Sequence, residues 1–278
     1  MMRACVIGWP IAHSRSPLIH NYWLKRHGIG GEYTRQPVGP DDLKRFITAL
    51  PENGYVGCNV TLPYKEAVFD LVTPADEATR ALHAVNTVFL REGRLWGTNT
   101  DGEGFLANIK SAEPSWSPAG NSVIILGAGG SARAIVAELI AEKIGCITVV
   151  NRSIPRIAQI QEDFGTDIKG LAWESLTANL TSCDLLVNST SLGMTGQPPL
   201  TVDLSALPST ALVADIVYTP LETDFLKQAR ARGHRVIPGL GMLLHQAVRG
   251  FELWFGVRPA VTPELYDLVA ADIAGTRP

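Results

Sequence analysis

The sequence predicts an α/β protein of two domains, one of them built on a doubly wound parallel sheet. Short apolar runs alternate with helical patterns through most of the chain, as strands and crossover helices do. From Ser122 onward these runs lose their polar alternation, as expected of parallel strands covered on both faces. The length, 278 residues, suffices for two domains of ordinary size.

Taken in order, Ala4–Gly8 reads as a buried strand. Ser16 is the expected N-cap of a helix to about His27, with Pro17 at its first position, where no N–H is needed. Glu32–Pro37 is a short strand, Asp41–Leu50 a helix and Tyr55–Cys58 a strand. Asn59–Pro63 is then a loop, and a helix runs from Pro63 to about Leu71. Ala84–Leu90 and Arg94–Asn99 form a hairpin joined through Arg91-Glu92-Gly93. A helix near Glu103–Ser111 precedes the Pro- and Ser-rich loop Glu113–Gly120. Beyond it come a strand at Val123–Leu126, a helix at Ser131–Lys143 and a strand at Cys146–Val150. Further strands are expected at Leu185–Asn188, Leu212–Ile216 and Arg235–Ile237, and a final helix at Met242–Phe255. The doubly wound domain is placed at residues 102–239; residues 1–101 and 240–278 form the other, the C-terminal helices returning to it.

Lys and Arg total 24 against 27 Asp and Glu, a formal charge of −3. That gives no general attraction to nucleic acid or to an anionic membrane, so neither is an expected partner. No stretch approaches the ~20 apolar residues of a membrane span. MMRACVIGWP enters a strand directly, without a signal-peptide core, so a cytoplasmic location is expected. Cys5, Cys58, Cys146 and Cys183 stand far apart beside apolar runs and read as buried thiols of a reducing compartment. The six histidines have no ligand spacing, and no metal is expected. Oligomeric state is open, and a homodimer is compatible with all of this.

Gly127-Ala128-Gly129-Gly130-Ser131-Ala132 follows an apolar strand and opens a helix, with a second strand after it. This is a dinucleotide-binding βαβ unit. Gly127 permits the tight turn, Gly129 lets backbone approach a pyrophosphate, and Ala132 lets helix and strand pack closely. The helix N-terminus offers its N–H groups and positive dipole end to phosphate. The tip of the second strand, Asn151-Arg152-Ser153, with Arg156 just beyond, carries no carboxylate to accept from ribose hydroxyls. Two guanidiniums there suit a 2′-phosphate, so NADP(H) is the expected cofactor.

Outside this unit, Ser14-Arg15-Ser16-Pro17 places two hydroxyls at a helix start. Asn59–Lys65 ends a strand and puts Lys65 in the first helical turn, against the helix dipole, which invites a functional reason. A hairpin turn centred between Glu92 and Gly93 would pair Asn86 near Asn99, within reach of Asp101.

Eight segments in order carry a family resemblance: IAHSRSP (11–17), NVTLPYK (59–65), AVNTV (84–88), NTDG (99–102), GAGGSAR (127–133), NRS (151–153), NSTSLGM (188–194) and GLGMLLHQA (239–247). Together they resemble the shikimate dehydrogenases. The resemblance implies an N-terminal α/β substrate domain plus a Rossmann-type NADP-binding domain. It also implies reversible NADPH-linked reduction of 3-dehydroshikimate to shikimate, a step toward chorismate and the aromatic amino acids. It makes Lys65 and Asp101 the catalytic pair. Ser14 and Ser16 would hold the substrate carboxylate, with Thr61, Asn86, Tyr218 and Gln246 completing the substrate contacts. Gly127, Ala128, Gly129, Gly130, Ser131, Asn151, Arg152, Ser153 and Arg156 would hold the cofactor. Ile216, Gly239 and Met242 would lie near the nicotinamide, and Glu77 matches a further cofactor-side position. His83, where a small residue is expected, and Pro155, inside the run after NRS, depart from the pattern.

Hydride delivery to a ketone leaves charge on oxygen, so a proton donor must sit there. Lys65 suits that role if partly desolvated, with Asp101 holding the ammonium and orienting the reacting hydroxyl. The implied site lies between the domains, with Asp101–Gly102 and Gly239–Gly241 as the crossings. The rival expectations are a quinate/shikimate dehydrogenase of the same superfamily and a non-catalytic NADP-sensing module.

Overall fold

Strand pairing explains how residues far apart in the chain reach common edges. The computed structural model describes residues 1–165 and 167–275. It forms two compact units: Met1–Thr100 with Gln246–Val269, and Asp101–His245 with the chain from Ala270 on.

In the first unit β1 (Met2–Gly8), β2 (Gly31–Pro37) and β3 (Tyr55–Val60) pair in parallel. α1 (Ser16–Arg26) and α2 (Leu43–Thr48) lie in the connections, as parallel pairing demands. α3 (Lys65–Phe69), β4 (Thr73–Pro74) and α4 (Glu77–Leu82) lead to the hairpin of β5 (Thr87–Arg91) and β6 (Arg94–Thr98). The sheet order is β2-β1-β3-β5-β6-β4, with β5 running against both β3 and β6. The C-terminal ends of β1, β3 and β6 and the start of β5 therefore share one sheet edge. The hairpin turn is Glu92-Gly93 alone, at φ 53° and 72°, and Arg91 belongs to β5, facing Arg94. Two positive φ values give the turn whose twist suits the strands it joins.

In the second unit α5 (Asp101–Ala112) leads to β7 (Ser122–Leu126), α6 (Gly130–Ala141), β8 (Cys146–Asn151), α7 (Ile154–Phe164) and β9 (Lys169–Ala172). β10 (Leu185–Asn188), β11 (Leu212–Asp215), α8 (Asp224–Ala231) and β12 (Arg235–Ile237) follow, then α9 (Leu240–Phe255) and α10 (Pro263–Ile273). The sheet is wholly parallel in the order β12-β11-β10-β7-β8-β9, so the winding reverses between β7 and β10. Open α/β sheets bind ligands at such a reversal. Both faces are buried. Val123 and Ile125 pack with Ile135 and Leu139 of α6, while Ile124 and Leu126 pack with Phe225 and Leu226 of α8. This explains the unbroken apolar run in the sequence. Among the described residues no helix is long and apolar enough to cross a membrane.

Several expectations need correction. Ser16 is the first helical residue of α1, not its cap; Arg15 holds the cap position, and Ser14 Oγ accepts from Ser16 N at 3.3 Å. Met242–Phe255 is not the last helix, since α10 follows it. The grouping of residues also differs from the expected boundaries: Asp101 and residues 240–245 associate with the second unit, and the return to the first falls inside α9. Gly239 and Gly241 serve close packing. A Cβ at 239 would overlap the Ile216 carbonyl, and one at 241 the Asn108 side chain, which donates to Pro238 O at 2.9 Å.

Gly57 of β3 meets a comparable constraint. A Cβ there would overlap both the Trp254 indole nitrogen and the Val88 carbonyl, which are hydrogen-bonded to each other at 2.9 Å. Gly57→Ala is expected to destabilise the fold by about 2–4 kcal/mol through overpacking plus the lost bond. A denaturant midpoint equal to the parent's would refute that.

Candidate active site

The shared edge of the first sheet collects the polar residues singled out in the sequence. Ser14 follows β1; its carbonyl accepts from Arg35 Nε and Nη2 at 2.9 and 2.6 Å, fixing the turn that presents both serines. Ser16 is buried. Thr61, just past β3, donates its N–H to Ile7 O at 3.0 Å, and its carbonyl accepts from Tyr64 N at 3.0 Å. That turn starts α3 with Lys65 as first residue, half-buried, its carbonyl accepting from Val85 N at 2.8 Å. The backbone carrying the lysine is thereby tied to the segment carrying Asn86.

Asn86 is 3% exposed and its Oδ1 accepts from Thr100 N at 3.0 Å and Thr87 Oγ1 at 2.9 Å. The hairpin register that pairs Thr87 with Thr98 puts Asn86 opposite Asn99, as the sequence reading required. Thr100 Oγ1 in turn donates to the Gln246 carbonyl at 2.8 Å. Asp101, the next residue, is buried and opens α5 in the second unit. His20 of α1 stacks on Tyr33 at 4.1 Å, and burial lowers its pKa to about 3, so it is neutral there.

In the second unit the turn after β7 has the form its glycines foretell. Gly127 sits at φ +108°, where a Cβ would press on Ser189 and Thr190 at 2.9 Å each. Gly129 is the N-cap of α6, whose first turn has no side-chain cap, and no atom lies within 4 Å of a Cβ built at Gly129 or Gly130. Bare helical N–H groups under open glycine backbone suit a pyrophosphate, and any larger side chain would fill that space. Ala128 and Ala132 are buried, Ala132 fully, against the β7 face; Ser131 is half-buried at the helix start. At the end of β8, Asn151 Nδ2 donates to Ser153 O at 3.1 Å, closing the tip. Ser153 caps α7 without a side-chain bond, and Pro155 falls in its first turn, which removes the difficulty with that departure. Arg152 and Arg156 are exposed on this tip, and among the described residues neither has an ion-pair partner. These residues fit a 2′-phosphorylated dinucleotide.

Ile216 and Tyr218 follow β11, half-buried, and Met242 is buried in the same core against which Ile216 packs. Glu77 lies in the first unit, its carboxylate exposed and paired with Arg80. His83 is the left-handed residue ending α4, a position that ordinarily takes glycine; its ring packs on Phe69 at 4.5 Å.

Sequence reasoning missed the group that orders the β10 and β11 loops. Asp215 Oδ1 accepts from Asn188 Nδ2 and Val217 N at 2.9 Å each, and Oδ2 accepts from Thr223 Oγ1 at 2.7 Å. Asn188 Oδ1 accepts from Thr190 N and Oγ1 at 3.1 and 2.7 Å. The available signal was a polar residue ending each of two apolar strands. Burial raises the Asp215 carboxyl from its ordinary 3.8 to about 6 despite these donors. An acid whose folded pKa lies above its unfolded one stabilises the fold below the unfolded value, and loses that contribution as pH rises through the folded one. Relative to Asp215→Asn, the parent should lose on the order of 3 kcal/mol of stability between about pH 4 and pH 7. Urea unfolding of both proteins across that range checks this; a constant gap would refute it.

Three family profiles match the chain: Shikimate dehydrogenase substrate binding domain over residues 6–88, Shikimate / quinate 5-dehydrogenase over 110–195, and Shikimate 5'-dehydrogenase C-terminal domain over 239–263. The shikimate dehydrogenase (NADP(+)) of Nitrobacter hamburgensis is 54% identical over 97% of this chain and 94% of its own. The shikimate 5-dehydrogenase of Thermus thermophilus, solved in complex with NADP(H) and shikimate, aligns at TM-score 0.86 and 33% identity, over 98% of this chain and all of that one (100%). The 5-ketofructose reductase of a Gluconobacter strain aligns at TM-score 0.85 and 34% identity, over 99% and 98% of the two chains, so the fold alone does not select the substrate. Identity across the whole chain, with the glycine turn and the polar sheet edge in place, does decide the family: the chain belongs to the shikimate dehydrogenases.

Proposed function

We propose that this protein catalyses the reversible NADPH-dependent reduction of 3-dehydroshikimate to shikimate. The observation that carries the reading is the 54% identity, over nearly the full chain, to an NADP-dependent shikimate dehydrogenase. The nicotinamide, when bound, supplies or accepts the hydride. The chain's own residues do the rest. Ser14 and Ser16 bind the substrate carboxylate through hydroxyls set by the Arg35-held turn. Asn86 and Thr61 orient the ring hydroxyls, with Gln246 and Tyr218 completing the substrate contacts. Lys65 gives a proton to the carbonyl oxygen during reduction and takes it back during oxidation, and Asp101 orients the lysine and the hydroxyl. Arg152 and Arg156 grip the 2′-phosphate, and the α6 N-terminus the pyrophosphate.

The test is a rate assay of the purified chain with shikimate and NADP⁺, following the absorbance of the reduced nicotinamide, with quinate and NAD⁺ in parallel. Fast turnover confined to shikimate with NADP⁺ is expected. Turnover only with quinate, or none with either acid, would overturn the assignment.

A further inference from the structure

Beneath the substrate edge of the first sheet runs a buried hydrogen-bonded chain in which every donor direction can be deduced. Tyr33 of β2 is 2% exposed and bonds Asn59 Oδ1 at 2.6 Å. Asn59 Nδ2 bonds the Asn86 carbonyl and Thr87 Oγ1, both at 3.1 Å. Thr87 Oγ1 bonds Asn86 Oδ1 at 2.9 Å, and Thr100 N reaches that same oxygen at 3.0 Å. A backbone carbonyl only accepts, so the side of Asn59 facing Asn86 O is its amide NH₂. Its oxygen then faces Tyr33, and the phenol must donate. Thr87, having accepted from Asn59, spends its single proton on Asn86. Thr100 N–H only donates, so the atom it faces is Asn86 Oδ1, and Asn86 Nδ2 donates to Thr100 Oγ1 at 3.1 Å. Burial holds the Tyr33 phenol well above its ordinary 10.0, so it keeps the proton this order needs. Stacking on the neutral His20 ring holds the tyrosine in place.

We propose that Tyr33, Asn59 and Thr87 form a one-directional relay that positions Asn86, fixing which end of its amide faces the chain and so holding the side chain in the orientation that recognises the substrate. This rests on the reading of Asn86 as a substrate contact. The three are positioning residues: they act on substrate through Asn86. Removing one hydroxyl leaves the next acceptor unanswered, allows the amides to rotate, and weakens a contact made alike in ground and transition states. Such a loss raises KM and spares kcat.

The experiment compares Tyr33→Phe, Thr87→Val, Thr87→Ser and Asn86→Ala by steady-state kinetics with shikimate and NADP⁺, and by thermal melting. Tyr33→Phe and Thr87→Val should each raise the shikimate KM roughly tenfold, with kcat within about threefold and the NADP⁺ KM unchanged. Thr87→Ser, which keeps the hydroxyl, should restore the parent KM. Should Tyr33→Phe fail to fold, the two Thr87 variants decide alone. A lower melting temperature with an unchanged shikimate KM in Thr87→Val would reduce the chain to a structural feature and overturn the relay. A raised KM for both substrates, or no rescue by serine, would overturn it as well. Asn86→Ala separates the two readings: a raised shikimate KM there beside parent-like Thr87→Val defeats the relay only, whereas a parent-like Asn86→Ala defeats the assignment of Asn86 and the relay with it.

Discussion

Replacing Lys65 with alanine will lower kcat for shikimate oxidation by about 10²–10⁴, the usual contribution of a positioned general acid or base. The shikimate KM should move far less. Lys65 opens a helix of only five residues, and its carbonyl is held by Val85 N at 2.8 Å. Its backbone is therefore fixed by the segment that also carries Asn86, and removing the side chain leaves that scaffold intact. The loss falls on proton transfer. Turnover within about threefold of the parent would remove Lys65 from the chemistry.

The second large effect concerns the cofactor. Changing Arg152 and Arg156 together to glutamine should cut kcat/KM for NADP⁺ by about 10–100-fold while leaving NAD⁺ nearly unaffected. A charge-assisted bond is worth roughly 1.5–3 kcal/mol, discounted here because both guanidiniums are exposed. Only the 2′-phosphate distinguishes the two dinucleotides at this tip, so the preference should vanish. Rising salt should erode it in the parent for the same reason. An unchanged NADP⁺/NAD⁺ ratio in the double variant would place the selectivity elsewhere.

Long periodic segments were legible because both faces of the second sheet are buried and the glycine turn imposes local rules. Some of the elements that escaped were short or lacked a familiar terminator, although α7, of 11 residues and closed by Gly165, was neither. β4 has two residues, and α4 ends on His83, where a glycine would have announced the stop. α8 and α10 could have been read. Thr223 caps α8 by accepting from Leu226 N, and Thr262-Pro263-Glu264 is a helix start whose threonine accepts from Leu265 N at 3.4 Å. Candidate site residues could be named from sequence wherever they belonged to a motif of contiguous letters, as with Ser14, Lys65 or Arg152. Tyr33 and Thr87 were not, because their roles arise only when β2, β3 and β5 are brought into register. Asp215 was hidden for a related reason: a carboxylate ending an apolar strand has no meaning until its three donors are located.

The proposed chemistry requires an ammonium and a carboxylate to act on one oxygen of the substrate. A crystal structure with shikimate and NADP⁺ bound tests this most directly, through the separation of Lys65 Nζ and of the nearer Asp101 carboxylate oxygen from the hydroxyl that is oxidised. Both should lie within hydrogen-bond reach, about 2.6–3.2 Å. Either side chain turned away from that hydroxyl, with shikimate seated on Ser14 and Ser16, would contradict the mechanism.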